Sequence, residues 1–123
     1  MPPSAGVLDR LGVLVIADSF DNVEPLRAAG AVIVGVRAAP LALAYAERHT
    51  IDVVLVDLRG ADWWATPEIR ALRALSRAPV YALQEADDLI PDTAARIAGV
   101  FPKPVNLDTL VATLAALPRH RTR

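Results

Sequence analysis

Five short runs of apolar, mostly β-branched residues recur along the chain, separated by longer stretches with apolar residues at helical spacing. The runs cover approximately residues 12–17, 31–36, 52–57, 79–84 and 99–102. Within each run the apolar residues are nearly continuous, which is typical of strands that are buried on both faces. Parallel strands need a crossover of about a dozen residues, usually a helix. The pattern therefore predicts an α/β domain in which helices cover both faces of a five-stranded parallel sheet.

Proline and capping residues mark where several predicted helices begin. Asn106 and Thr66 can each cap the helix that follows, and Pro40 suits the first turn of the second helix. The first helix should be short and begin near residue 22 or 23, because Pro25 is tolerated only in a first turn. The last helix has one apolar face, made of Leu107, Leu110, Val111, Leu114 and Leu117.

Length and composition narrow the class of protein. The 123 residues, 54% of them hydrophobic, suit a single domain with its core at about 11–117 and a tail or linker at 118–123. The chain has no cysteine and no signal-like N-terminus, which favours the cytoplasm. No apolar run is long enough to cross a bilayer, and the net charge of −1 makes nucleic acid an unlikely partner.

Three charged residues stand where predicted strands end. Asp18 follows the first run, Asp57 ends the third, and Lys103, the one lysine of the chain, follows the fifth. In an open parallel sheet, ligands bind at the carboxyl ends of the strands. Two carboxylates converging there need a cation such as Mg²⁺ between them, and a lysine would neutralise further negative charge. This combination suits the transfer of a phosphoryl group to a carboxylate.

Four segments in this order resemble the receiver domain of two-component response regulators, the CheY-like superfamily. They are Val15-Ile16-Ala17-Asp18-Ser19, Asp52 to Leu58, Ala78 to Leu83, and Gly99-Val100-Phe101-Pro102-Lys103-Pro104. The resemblance spans about residues 11–117. It implies a flavodoxin-like α/β/α sandwich with strand order 2-1-3-4-5 and five helices.

The resemblance also implies a role for each site residue. Asp57 would accept the phosphoryl group, Lys103 would pair with it, and Asp18, Asp57 and the backbone carbonyl of Arg59 would bind Mg²⁺. The donor would be a histidine kinase or a phosphotransfer protein. The domain would not be an enzyme beyond self-phosphorylation and autodephosphorylation of Asp57. A homodimer would form through the last strands and helices.

Three positions depart from the family pattern, so this would be an atypical member. Ala17 replaces the first of two adjacent acids, which should weaken Mg²⁺ binding. Gln84 stands where a switch threonine or serine is usual, and Val100 replaces the aromatic switch residue. The elements that would receive the phosphoryl group are thus present, whereas those that would report it are altered.

These departures leave two other interpretations open. The first is a pseudo-receiver, in which the same fold serves as a phosphorylation-independent interaction or dimerisation module. The second is a small flavodoxin-fold enzyme or cofactor carrier, which the lack of a serine- or glycine-rich phosphate loop disfavours. Taken singly, Asp57 could be a cap, Asp18 an Asx turn and Lys103 a solvated side chain. The domain could stand alone or be part of a longer kinase or regulator.

Overall fold

The computed structural model describes residues 6–17, 23–57, 67, 70–71, 77–84, 98–103 and 105–117. Its strands are β1 Gly12–Ala17, β2 Val32–Val36, β3 Val53–Asp57, β4 Val80–Gln84 and β5 Gly99–Pro102, and its helices are α1 Val23–Ala28, α2 Ala39–Ala46 and α3 Leu107–Ala115. The third and fourth predicted helices lie largely outside the described residues, although Pro67, Arg70 and Ala71 have helical backbone. The helix α3 is therefore the last of the predicted helices.

The five strands form one parallel sheet in the order β2-β1-β3-β4-β5. This is the predicted order, and it places β1 and β3 side by side near the centre. Their register pairs Val13 with Val53 and Ala17 with Asp57. All strands run the same way, so their carboxyl ends share one edge of the sheet. The amino ends of the strands form the opposite edge.

Apolar side chains of the sheet alternate between two buried clusters, one on each face. One cluster contains Val13, Val15, Ala17, Val53 and Leu55 with Leu26 of α1 and Leu110 and Leu114 of α3. The other contains Leu14, Ile16, Val54 and Val56 with Ala42 and Ala46 of α2. Both β1 and β3 contribute to both clusters, which explains their continuous apolar sequence. The predicted three-layer α/β/α arrangement is confirmed.

The helices begin where proline and capping residues in the sequence predict. The short helix α1 begins at Val23, so that Pro25 lies in its first turn. Pro40 occupies the first turn of α2. The side-chain oxygen of Asn106 accepts a hydrogen bond of 3.0 Å from the backbone N–H of Thr109, and so caps α3. In the described part of the chain, no helix has both the length and the apolar character needed to cross a membrane.

A turn ahead of β1 closes one end of the first cluster. Leu8 and Leu11 are fully buried there. The backbone N–H of Leu8 donates to the carbonyl of Ala29, 2.8 Å away, which ties the turn to the end of α1. This close approach requires glycine at position 30. The φ of Gly30 is +105°, and the Cβ of any other residue would lie 2.7 Å from the Cα of Asp9.

Candidate functional site

Two of the predicted site residues meet at the carboxyl edge of the sheet. Asp57 is the last residue of β3, and Lys103 directly follows β5. The ammonium nitrogen Nζ of Lys103 lies 2.5 Å from Oδ1 of Asp57 and donates a hydrogen bond to it. The side chains are 29% and 19% exposed, respectively, so both can be reached from solvent. The pair is therefore an accessible carboxylate that already has a cationic neighbour.

The length of the lysine side chain makes this contact possible. Strand β4 lies between β3 and β5, and adjacent strands are about 4.8 Å apart, so the two backbones are about 10 Å apart. Lys103 crosses the end of β4 to reach Asp57. A partly exposed ion pair of this kind contributes at most about 1 kcal/mol to stability. The ion pair therefore adds little to folding stability.

The position beside Asp57 offers no second carboxylate. Ala17 is its register partner on β1, and this side chain is 8% exposed and packed in the first cluster. Asp18 and Arg59, the other predicted metal ligands, lie outside the described residues. Within the described ranges, no group of three His, Cys, Asp or Glu side chains is placed to hold a metal. At this edge the described residues thus supply one hard oxygen donor group, the carboxylate of Asp57, which suits Mg²⁺.

The two positions expected to report phosphorylation lie on the neighbouring strands. Gln84 is the last residue of β4, in register with Pro102; its side chain lies outside what the structure describes. Val100 of β5 is 42% exposed. The rings of Tyr81 in β4 and Phe101 in β5 pack with centroids 5.3 Å apart. They lie on the face of the sheet that contains the first cluster. The aromatic contact between β4 and β5 is therefore on the side of α3, and Val100 is on the other side.

Asp52 is a buried acid whose contacts the sequence pattern did not predict. It directly precedes β3 and is 6% exposed, and its Oδ2 accepts a 2.7 Å hydrogen bond from the backbone N–H of Gly12. The backbone N–H of Asp52 in turn donates to the carbonyl of Gly12, 2.9 Å away. These two bonds fasten the amino ends of β1 and β3 together. In the sequence, the acidic residue directly before an apolar strand was the one indication of these contacts.

No protein-family model and no curated protein matches the chain. Solved structures do match. The receiver domain of the sensor histidine kinase PA1611 from Pseudomonas aeruginosa PAO1, with magnesium coordinated in its active-site cleft, is 29% identical; the match covers 85% of this chain and 94% of that one, with a TM-score of 0.65. The chemotaxis protein CheY4 from Vibrio cholerae is 22% identical over 89% of this chain and 99% of its own, with a TM-score of 0.70.

A third match is a receiver domain bound to its partner. The receiver domain of the response regulator Ssk1 from Saccharomyces cerevisiae, crystallised with the histidine phosphotransfer protein Ypd1, is 17% identical. The match covers 86% of this chain and 87% of that one, with a TM-score of 0.61. Together with the strand order, these neighbours confirm the resemblance to response-regulator receiver domains, and the chain has the CheY-like, flavodoxin-like fold.

Proposed function

We propose that the chain is a two-component receiver domain that accepts a phosphoryl group on Asp57 and relays it by a conformational change. The observation that carries this proposal is the ion pair between Asp57 and Lys103, 2.5 Å apart at the carboxyl edge of the sheet. An accessible carboxylate can act as the nucleophile, and a neighbouring ammonium can stabilise the transferred phosphoryl group. The similarity to receiver domains supports the same function.

In the proposed reaction, a carboxylate oxygen of Asp57 attacks the phosphorus of a phosphohistidine. A P–O bond forms while the P–N bond breaks, and the electron pair of the broken bond returns to the imidazole nitrogen. Lys103 then pairs with the phosphoryl oxygens, whose negative charge it offsets. On this proposal the domain is a signalling module, with no enzymatic activity beyond self-phosphorylation and autodephosphorylation of Asp57.

Mg²⁺ belongs to the same proposal. Asp57, Asp18 and the backbone carbonyl of Arg59 would hold the ion. When bound, it would reduce the repulsion between the carboxylate and the incoming phosphoryl oxygens. The matched PA1611 receiver domain has magnesium in its active-site cleft. Because the partner of Asp57 on β1 is the apolar Ala17, we expect the affinity for Mg²⁺ to be weak.

A histidine kinase or a phosphotransfer protein is the proposed donor. The complex of Ypd1 with the Ssk1 receiver domain supports this kind of partner. We place the reaction in the cytoplasm, as the cysteine-free composition favours. The exposed Val100 of β5 is available for the proposed dimer contact through the last strands and helices.

The experiment that tests the proposal is phosphorylation by acetyl phosphate with Mg²⁺, followed by intact-protein mass spectrometry. The natural chain should gain one phosphoryl group, and Asp57→Asn should gain none. Asp52→Asn is a matched control, because it changes the other aspartate of the same strand region at the opposite edge of the sheet. Failure of the natural chain to react with acetyl phosphate and with phosphoramidate would contradict the proposal.

Two observations favour a second function, that of a pseudo-receiver that binds a partner without phosphorylation. Ala17 lies beside Asp57, and Val100 provides no aromatic ring for a switch. Partner binding would then be unaffected by Mg²⁺ and by Asp57→Ala. If binding of a captured kinase or of a second copy depends on Asp57, the pseudo-receiver function is excluded.

A further inference from the structure

A cavity lies at the amino edge of the sheet, at the opposite end of the strands from Asp57 and Lys103. Its volume is about 220 Å³, and it opens between the starts of β1 and β2 and the end of α2. Residues Gly12 to Ala17 separate it from Asp57 along the sheet, about 16 Å at the rise of a strand. It is therefore a separate site, and its lining shows what it could bind.

One wall of the cavity is aromatic. Tyr45 and His49 both line it, and their rings are stacked with centroids 4.2 Å apart and an angle of 17° between the planes. The side chains of Val32 and Ile51 provide apolar lining. Flat aromatic surface together with aliphatic side chains favours a planar, partly apolar ligand.

The charge at the cavity is positive. Arg10 lines it and is exposed, and in the described part of the chain no carboxylate pairs with its guanidinium. None of the described residues that line the cavity is acidic. The carboxylate of Asp52, which does not line the cavity, is buried and accepts the Gly12 N–H. A guanidinium binds a carboxylate through two parallel hydrogen bonds, so an anionic ligand is favoured.

The volume limits the ligand to a small molecule. An apolar cavity of about 150 Å³ is large enough for benzene, so 220 Å³ accommodates one ring with a carboxylate but not a nucleotide. We propose that this cavity binds a small aromatic carboxylate, with the carboxylate on Arg10 and the ring against Tyr45 and His49. The site is smaller than most ligand pockets, so the dissociation constant should be about millimolar.

Benzoate is the probe that tests this proposal, with amide chemical shifts of the full chain as the measurement. We expect saturable shifts at Gly12, Val13, His49 and Thr50. The neutral isostere benzamide should bind about tenfold more weakly, since it cannot form the charged pair with Arg10. Absence of saturable shifts with benzoate, or equal binding of benzamide, would overturn the proposal.

Two arginines form a matched pair of variants. Arg10 and Arg77 both have left-handed backbone, with φ of 63° and 57°, and asparagine is among the residues that adopt this conformation. Arg10→Asn should weaken benzoate binding about tenfold, whereas Arg77→Asn, which removes an exposed charge that does not line the cavity, should leave it unchanged. Equal losses in both variants would mean a nonspecific charge effect and would refute the site. Asp57→Asn should bind benzoate normally, so this test and the test of phosphorylation succeed or fail separately.

Discussion

At the scale of single residues, the pairing of Asp57 with Lys103 decides what the carboxyl edge can do. A carboxylate by itself repels an incoming phosphoryl group. On the proposed function, the ammonium 2.5 Å away would offset that repulsion and would pair with the phosphoryl oxygens. Lysine suits this role because its ammonium is a compact charge on a flexible side chain. The planar guanidinium of arginine has a more rigid geometry. Apart from Lys103 and the two histidines, every basic residue of the chain is an arginine.

The choice of lysine leads to a prediction for Lys103→Arg. The charge is kept, but the wider guanidinium cannot take the same position over Asp57. We expect the rate of phosphoryl uptake from acetyl phosphate to fall about tenfold or more, as when one stabilising donor of a reacting group is lost. The rate is measured by intact-protein mass spectrometry over time. Arg48→Lys, the reverse exchange at an exposed position, should react like the natural chain; an unaltered rate in Lys103→Arg would show that any cation suffices.

At the scale of elements, local signals determine where helices begin and packing determines their orientation. The carboxamide of Asn106 binds the N–H of Thr109, one of the N–H groups at the start of α3 that has no partner within the helix. Two turns of the same helix then place Leu110 and Leu114 in the first cluster, both fully buried. The cap and the apolar face act together, because a nine-residue helix is marginal on its own.

Loss of this cap should have a measurable cost. Asn106→Ala should lower the free energy of unfolding by about 1 kcal/mol, because the Thr109 N–H loses its acceptor. Urea unfolding at equilibrium is the measurement, with the slope expected to stay constant. Asn106→Asp should retain the stability, since a carboxylate accepts the same bond and interacts favourably with the helix N-terminus. If the alanine and aspartate variants are equally destabilised, the cap does not stabilise α3.

At the scale of the whole molecule, strand order decides which residues become neighbours. Residues 17 and 57 are forty positions apart in the sequence but are register partners because β1 pairs with β3. Asp57 and Lys103 meet only because β4 separates their strands by a distance that a lysine side chain can span. The same order puts Arg10, Tyr45 and His49 around one cavity at the opposite edge.

The register of β1 and β3 predicts the effect of restoring an acid at position 17. Ala17→Asp would place a second carboxylate beside Asp57, at a position that is 8% exposed. Without metal the two charges repel, so the melting temperature should fall below that of the natural chain. Mg²⁺ should recover much of this loss, and the apparent dissociation constant for Mg²⁺ should decrease about tenfold.

Thermal unfolding with and without Mg²⁺ measures this effect. Ala17→Asn is the matched control: it has nearly the same shape without the charge, and should show no added response to the metal. A response of Ala17→Asp no larger than that of Ala17→Asn would mean that position 17 does not face a metal site. The neighbouring residue Asp18 would then be the first place to look for the missing ligand.

Much of the fold could be predicted because its signals are local. Continuous apolar runs predicted all five strands within a residue of their observed bounds, and Pro25, Pro40 and Asn106 predicted how three helices begin. The apolar face of α3 was also visible in the spacing of Leu110 and Leu114. Such patterns arise from side-chain burial and backbone geometry within a few residues, which a sequence displays directly.

The chain by itself determined its strands, the start of its helices and the candidate residues Asp57 and Lys103. Folding brings these two side chains into contact, places Ala17 beside Asp57, joins Asp52 to Gly12 by hydrogen bonds, and forms a cavity beside Arg10. These are contacts between residues far apart in the sequence. They depend on strand order, register and the depth of packing, and no short stretch of sequence encodes a distance between two strands.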